Sequence, residues 1–260
     1  MSVWTVERTV DELIRRERER SDGGRITDEW PGLDLDTAYR AQDELLARKV
    51  AAGERVIGVK LGLTSAAKQR RMGIDAPLTG WLTDAMVLPA GVPVPMAETI
   101  HPRVEPEIVF TLGRRLAGPG VTAEDALAAV AEVRAGFEVI DSRYRDFSFA
   151  LPDVVADNAS SCRFVVSAGA VPPDGLDLAA EACRLMIDGE AVDTATGAAV
   201  QGHPAQALAL AANALSRRGI ALEAGWTVLT GGLTDAVFVE PGRTISAEFA
   251  TLGTVTVVGG

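Results

Sequence analysis

Two glutamates in the segment HPRVEPEIVF carry the sharpest chemical signal in the sequence. If this apolar segment is a strand, Glu105 and Glu107 point the same way, because side chains alternate between the two faces of a strand. Adjacent carboxylates repel each other, and burying either one without a partner costs on the order of several kcal/mol. The pair is therefore expected either at a solvent-facing strand, which the bare pattern favours, or around a cation.

A third acid makes the cation the better explanation. Glu138 interrupts the apolar run AGFEVI, where a solvent-facing role is hard to assign. Three carboxylates on β-rich segments form a hard oxygen-donor site, which suits Mg²⁺, or Mn²⁺, better than zinc. The sequence thus predicts a metal site at Glu105, Glu107 and Glu138. His101 and His203 each precede a proline and are interpreted as structural residues.

Lys60 is the opposite anomaly, a single ammonium in the Gly-rich and otherwise apolar run VIGVKLGLT. A half-exposed strand would explain it without any function. A functional lysine would instead lie close to the metal site, where it could hold an anionic substrate or move a proton. We expect the second role, because a lone charge in such a run stabilises a fold poorly.

Two further segments have the composition of binding loops. The segment VADNASS, which contains Ser160, is too rich in small polar side chains to be core. The segment TGGLT, which begins at Thr230, has two glycines of the kind found where backbone turns tightly or approaches a ligand. Neither GxxxxGK[ST] nor GxSxG occurs, so the phosphate loop and the serine nucleophile elbow have no candidate segment.

The elements that must position these residues change in type along the chain. Residues 1–75 are predicted to be mainly helical, with an apolar stripe near Val10 and a second helix capped by Asp34 or Asp36. Residues 76–260 are predicted to form a β-rich catalytic domain, since short apolar runs alternate there with Gly, Pro and Asp.

Three local patterns stand out within the β-rich part. A helix is predicted over VTAEDALAAVAEVRAG, with a Thr122–Asp125 capping pattern at its start and Gly136 after its end. A hairpin is predicted around Asp188-Gly189, which suits a type I′ turn. A second helix is predicted over HPAQALALAANALSRRG, with proline in its first turn.

Composition excludes several classes of function. The formal net charge is −11, from 25 Lys+Arg and 36 Asp+Glu, and no basic patch is present, which argues against nucleic-acid binding. No apolar run approaches the roughly 20 residues of a spanning helix, and the N-terminus lacks a signal-peptide pattern, so no membrane association is expected. Cys162 and Cys183 form no metal or disulfide motif, and we expect a cytoplasmic protein.

Six segments, in order, resemble the hydratase and decarboxylase branch of the fumarylacetoacetate hydrolase superfamily: GVKLGLTS, HPRVEPEI, FEVIDSRYRDF, LPDVVADNASS, GHP and VLTGG. The resemblance runs from about residue 35 to the C-terminus. It implies an α+β fold with a β-rich, rolled mixed sheet of the fumarylacetoacetate hydrolase type and an N-terminal helical portion. It also implies a Mg²⁺ ion held by Glu105, Glu107 and Glu138, with Lys60 in the active site.

The resemblance also bears on the substrate and the reaction. It places Ser160 and Thr230 in the substrate pocket, and Arg145 or Arg143 is a candidate to orient a carboxylate. The hydratases have an Asp where this sequence has Leu78, which cannot activate water, whereas a decarboxylase gains from a drier pocket. We therefore expect a lyase that decarboxylates 2-oxo-3-hexenedioate to 2-hydroxypenta-2,4-dienoate in the meta-cleavage catabolism of aromatic hydrocarbons.

Other functions stay open at this point. One is hydration of 2-hydroxypenta-2,4-dienoate by the same kind of site. Another is a non-catalytic partner in a pathway complex, against which the intact acid set argues. A Schiff base on Lys60 is a metal-free rival mechanism. The expected partners are a small 2-oxo dicarboxylate substrate, the sister hydratase and further copies of this chain.

Overall fold

Three helices begin the chain in the computed structural model, which describes residues 3–65, 69–70 and 73–260. They are α1 (Val6–Glu19), α2 (Ile26–Glu29) and α3 (Leu35–Ala51). The side chain of Asp34 accepts a hydrogen bond from the Thr37 N–H at 2.8 Å, so Asp34, rather than Asp36, is the N-cap of α3.

Eleven strands follow in the described residues, interrupted by three more helices. The strands are β1 (Val56–Gly62), β2 (Leu78–Thr83), β3 (Arg103–Leu112), β4 (Val130–Ile140), β5 (Ser161–Val166), β6 (Ala182–Ile187), β7 (Glu190–Thr196), β8 (Thr227–Leu229), β9 (Val237–Phe238), β10 (Thr244–Phe249) and β11 (Gly253–Val258). The helices are α4 (Ala123–Ala128), α5 (Leu151–Ala156) and α6 (Pro204–Ser216).

The strands form two sheets. The larger has seven strands in the order β2-β1-β8-β3-β4-β5, with β9 paired to β3, and the smaller has the order β11-β10-β6-β7. Only β1 and β8 pair in parallel among these strands, so the large sheet is mixed. This α+β architecture with a helical N-terminus is the one that the resemblance implies.

Two groups of buried apolar side chains hold the architecture together. The larger draws on both sheets and on α6, with Phe110, Leu185 and Leu208 among its members. The smaller joins α1 and α3 to α5, and it includes Val10 and Val155. Burial of these apolar surfaces is the main favourable contribution to folding. No helix in the described part of the chain is long and apolar enough to cross a bilayer.

The predicted helix over VTAEDALAAVAEVRAG is wrong in its second half. Helix α4 does begin at a Thr122–Asp125 capping box, but it ends at Ala128. Strand β4 starts at Val130 and runs through Gly136, which the pattern placed after a helix. The reason is tertiary, since this run pairs with β3 along its whole length, and such pairing outweighs the weak local preference for helix.

The other local predictions agree with the structure. Strands β6 and β7 pair across a turn at Asp188-Gly189, where both residues have positive φ. Helix α6 begins at Pro204, with His203 as its N-cap. The boundary at residue 75 stays a prediction, and β1, which precedes it, pairs with β2 beyond it.

Gly58 offers a test of how β1 is held in the sheet. A Cβ at Gly58 would lie 1.9 Å from the carbonyl oxygen of Thr227 on β8. Because backbone must shift to relieve this clash, we expect Gly58→Ala to lower the free energy of unfolding by about 2 kcal/mol or more. Urea denaturation measures the change.

Gly169→Ala is the matched control. A Cβ at Gly169 meets nothing within 4 Å, so its effect should stay within about 0.5 kcal/mol. A Gly58→Ala variant as stable as this control would contradict the close approach of β1 to β8.

Candidate active site

Three carboxylates meet where β3 pairs with β4. Glu105 and Glu107 share one face of β3, and Glu138 on β4 stands opposite Glu105 in the antiparallel register. One carboxylate oxygen from each residue lies within 4.8 Å of the others. Glu107 and Glu138 are 0% exposed, and Glu105 is partly buried. The structure therefore brings together the three acids that the sequence analysis singled out.

The buried carboxylates are only partly satisfied by the protein. Oε1 of Glu107 and Oε1 of Glu138 accept no hydrogen bond from the described residues, while Glu107 Oε2 accepts one from the Gly231 N–H at 2.7 Å. Burial raises the pKa of Glu107 well above its ordinary value, and the charge of Glu138 raises it further. Free oxygen donors around one point fit a hard divalent ion, which would balance their charge.

Strand β1 places Lys60 against these acids. Its Nζ lies 2.8 Å from Glu138 Oε2, and both side chains are almost completely buried. Burial lowers the pKa of Lys60, but the negative charges of Glu138 and Glu105 outweigh burial, so the pKa is raised overall. Lys60 is therefore held as an ammonium, a hydrogen-bond and proton donor, rather than as the free amine that a Schiff base needs.

A cavity of about 140 Å³ lies over the cluster. Lys60, Glu105 and Ser160 contribute polar groups to its lining, while Leu78 and Phe147 contribute apolar surface. Three of the residues that the sequence analysis connected with substrate or catalysis thus share one cavity with a metal-site acid. The cavity can hold an anionic group at its polar end and keep water from its apolar end.

Ser160 reaches the cavity from a strained turn. Asn158, Ala159 and Ser160 have φ values of 49°, 53° and 60°, a region that residues other than glycine seldom occupy. The Asn158 side chain ties the turn to β2, because its Oδ1 accepts from the Trp81 N–H at 2.7 Å and its Nδ2 donates to the Trp81 carbonyl at 2.9 Å. Strained backbone of this kind persists only where its surroundings enforce it.

Thr230 lies near the acids without lining the cavity. It is fully buried, and its Oγ1 donates to the Ile108 carbonyl at 2.7 Å. This bond fixes the end of β8 and so places the Gly231 N–H on Glu107. The next glycine is also required, since a Cβ at Gly232 would lie 2.8 Å from the Glu105 carboxyl carbon. A direct contact of Thr230 with substrate stays a prediction.

The two candidate arginines are engaged elsewhere. The side chain of Arg145 is 69% exposed and lies 3.5 Å from Asp22. Arg143 is buried in an ion pair with Asp157, and its Nη1 donates to the Asp141 carbonyl at 2.6 Å. Neither lines the cavity, so the proposal that Arg145 binds substrate also stays a prediction.

Sequence reasoning missed the aromatic side of the cavity. Phe147 and Phe149 both line it, and they follow the segment FEVIDSRY after β4. The available signal was their alternation, two aromatic side chains two residues apart in an otherwise polar loop. That pattern indicates a shared direction, but it does not reveal which surface the rings cover.

The curled mixed sheet and its acid cluster define the class of protein, and sequence comparison agrees. Residues 55–258 match the family described as "Fumarylacetoacetate (FAA) hydrolase C-terminal", and the chain belongs to this family. The family and the fold expected from the six segments are thus confirmed.

Individual relatives narrow the comparison. The chain is 40% identical over 247 residues to a 4-oxalocrotonate decarboxylase of Pseudomonas putida, which covers 95% of this chain and 94% of that protein. It is also 40% identical over 234 residues to a 2-hydroxyhexa-2,4-dienoate hydratase of Comamonas testosteroni, with 89% of each covered. The structure of 4-oxalocrotonate decarboxylase from Pseudomonas putida G7, complexed with magnesium and adipate, superimposes with a TM-score of 0.94 over 100% of both chains at 37% identity.

The buried charge of Glu107 leads to a stability prediction. Its folded-state pKa is raised, so metal-free stability should fall as pH rises above the ordinary glutamate pKa of 4.5. Glu107→Gln removes the charge and should raise the metal-free melting temperature at pH 8. The same change removes a ligand, so Mg²⁺ should no longer shift the melting temperature. Thermal melts with Mg²⁺ and with EDTA measure both effects.

Glu190→Gln, an exposed change on β7, should alter neither quantity. If Glu107→Gln kept the full Mg²⁺-induced shift of the unmodified protein, Glu107 would not be a ligand.

Proposed function

We propose that the protein is a Mg²⁺-dependent carbon-carbon lyase that converts 2-oxo-3-hexenedioate to 2-hydroxypenta-2,4-dienoate and CO₂. The observation that carries this proposal is the set of three convergent carboxylates with Lys60, lying under a cavity that is apolar at Leu78. Similarity to 4-oxalocrotonate decarboxylases over most of the chain supports the reaction. The relative solved with magnesium and adipate supports both the metal and a dicarboxylate ligand.

Glu105, Glu107 and Glu138 are the residues that would hold Mg²⁺, with Mn²⁺ as the substitute of similar chemistry. When bound, the ion supplies Lewis-acid stabilisation of the negative charge that develops on the 2-oxo group, so that no organic cofactor is needed. The sheet contributes rigidity, because two of these acids are fixed on β3 and the third on β4 in direct register.

Lys60 carries the only ammonium among the described residues that line the cavity. The electrons of the breaking carbon-carboxylate bond pass through the conjugated double bond toward the 2-oxo oxygen. Nζ is positioned to donate a hydrogen bond to this oxygen and then a proton, giving the enol product. The neighbouring Glu138 keeps Nζ charged until the substrate arrives.

The apolar side of the cavity acts on the carboxylate that leaves. Leu78, Phe147, Phe149 and Val154 line this side, and none of them can hydrogen-bond through its side chain. A carboxylate deprived of water is destabilised relative to the dispersed charge of the transition state. The wall therefore favours loss of CO₂ over addition of water.

Hydration of 2-hydroxypenta-2,4-dienoate is the second candidate function. The specific observation in its favour is the hydratase of Comamonas testosteroni, whose identity to this chain equals that of a decarboxylase. Leu78 argues against it, because a leucine cannot position water. Association with a sister hydratase, assembly into a homo-oligomer and a cytoplasmic location complete the proposal, since direct transfer would protect an unstable dienol product.

Lys60→Met tests the proton donor. In the Mg²⁺-loaded enzyme we expect turnover per folded molecule to fall at least about tenfold, the lower edge for a positioned acid-base group. CO₂ release and circular dichroism measure activity and folding on the same sample. Lys49→Met removes a surface partner of Glu17 and should leave turnover unchanged. Full turnover in folded Lys60→Met would assign the lysine a structural role only.

Leu78→Asp tests the dry wall. A carboxylate there would repel the distal carboxylate of the substrate, by roughly 4 kcal/mol at about 4 Å with an effective dielectric of about 20, before screening. Decarboxylation should therefore fall more than in Leu78→Asn, which adds polarity of similar size without charge. Equal losses in the two variants would rule out the charge effect.

The reaction type is decided on the unmodified protein. With Mg²⁺ and 2-oxo-3-hexenedioate we expect CO₂ and 2-hydroxypenta-2,4-dienoate. Conversion of 2-hydroxypenta-2,4-dienoate to 4-hydroxy-2-oxopentanoate, without CO₂ from the first substrate, would replace the decarboxylase with the hydratase.

A further inference from the structure

A dicarboxylate substrate brings more negative charge than the acid cluster and its lysine can balance. Glu105, Glu107 and Glu138 carry three negative charges against one positive charge on Lys60. One divalent cation would neutralise the excess and leave nothing for a second substrate carboxylate. Burial of an unpaired carboxylate is costly, so a further cation at the rim of the cavity is physically required.

Arg103 is positioned to be that cation. It lies two residues before Glu105 on β3, on the same face of the strand, at a spacing of roughly 6.6 Å along the strand. Its guanidinium carbon is 4.2 Å from the ring centre of Phe147, which lines the cavity. The charge is therefore next to the acid cluster and against the wall of the same cavity.

The guanidinium of Arg103 has both faces covered and its edge available. Phe147 covers one face, and Phe238 covers the other at 4.3 Å. The side chain makes no ion pair or hydrogen bond to the described residues, and its Nε is buried without a partner. Stacking fixes the plane of the group, and the in-plane N–H donors of such a fork match the two oxygens of a carboxylate.

The other nearby arginines differ in this respect. Arg143 already has Asp157 as its partner, and Arg145 points to Asp22 and solvent. Both of those charges are compensated within the protein or by water. Arg103 combines proximity to the cavity, a fixed orientation and an unpartnered buried donor.

We propose that Arg103 binds the second carboxylate of the substrate, the one not held at the acid cluster, and thereby selects dicarboxylates over monocarboxylates. This inference rests on the proposed function, because it assumes a dicarboxylate substrate. It assigns the recognition of the distal carboxylate to Arg103 in place of Arg145.

The test compares two ligands of equal chain length on the Mg²⁺-loaded protein. Adipate has a carboxylate at each end and hexanoate has one, so the ratio of their dissociation constants reports recognition of the second group. Isothermal titration of the unmodified protein should show a preference for adipate. In Arg103→Met that preference should fall at least about tenfold, the typical contribution of a charge-assisted hydrogen bond, while hexanoate affinity changes little.

Three comparison variants sharpen the result. Arg103→Lys keeps the charge without the planar fork and should retain part of the preference. Arg184→Met, at an exposed ion pair on the small sheet, should retain all of it. Arg145→Met should also retain it, since that side chain lies outside the cavity. Melting temperatures establish that each variant is folded, and Arg103→Lys provides the measurement if Arg103→Met does not fold.

Each other outcome overturns the proposal in an identifiable way. Equal weakening of both ligands in Arg103→Met would mean that the stacked arginine only supports the cavity wall. A preference lost in Arg145→Met and kept in Arg103→Met would transfer recognition to Arg145. An Arg103→Lys variant identical to the unmodified protein would overturn recognition by the planar fork. An unmodified protein that does not prefer adipate would contradict the dicarboxylate substrate itself, and hence the proposed function.

Discussion

The register between β3 and β4 sets Glu138 opposite Glu105, and the rest of the site follows from the need to balance that arrangement. Carboxylates facing each other across a buried ladder destabilise a sheet unless positive charge or donors reach them. Strand β1 delivers Lys60, and it reaches the acids only because the short β8 bridges it to β3. The turn after β8 then provides the Gly231 N–H for Glu107.

The charged and the apolar sides of the cavity are supported by different parts of the chain. The acids are fixed by strands of the large sheet. Leu78 and Val154, by contrast, belong to the apolar cluster that joins α1 and α3 to α5. A disturbance of the N-terminal helices should therefore alter the dryness of the cavity before it alters the acids. This division explains how one sheet can serve relatives with different reactions, since the wall can vary while the acid cluster stays.

Local rules account for much of what the sequence predicted correctly. Strand alternation placed Glu105 and Glu107 on one face, and an interrupted apolar run identified Glu138 as their companion. The length of β4 was mispredicted because pairing with β3 is a long-range effect that a helical window does not contain. The directions of Arg145 and Thr230 depend on Asp22 and on the Ile108 carbonyl, both remote in sequence. Arg103 was overlooked because its significance is the absence of an ion-pair partner among the described residues, which only a structure shows.

The Asn158 side chain has a consequence for how substitutions accumulate in this family. It donates and accepts at the same time, and so completes both hydrogen bonds of the Trp81 peptide as a neighbouring strand would. Aspartate lacks the donor, and leucine lacks both groups. A codon change at this position would therefore release the left-handed turn that carries Ser160. In a set of descendant sequences, asparagine at position 158 should persist or vary together with the serine two residues later, as a single inherited unit.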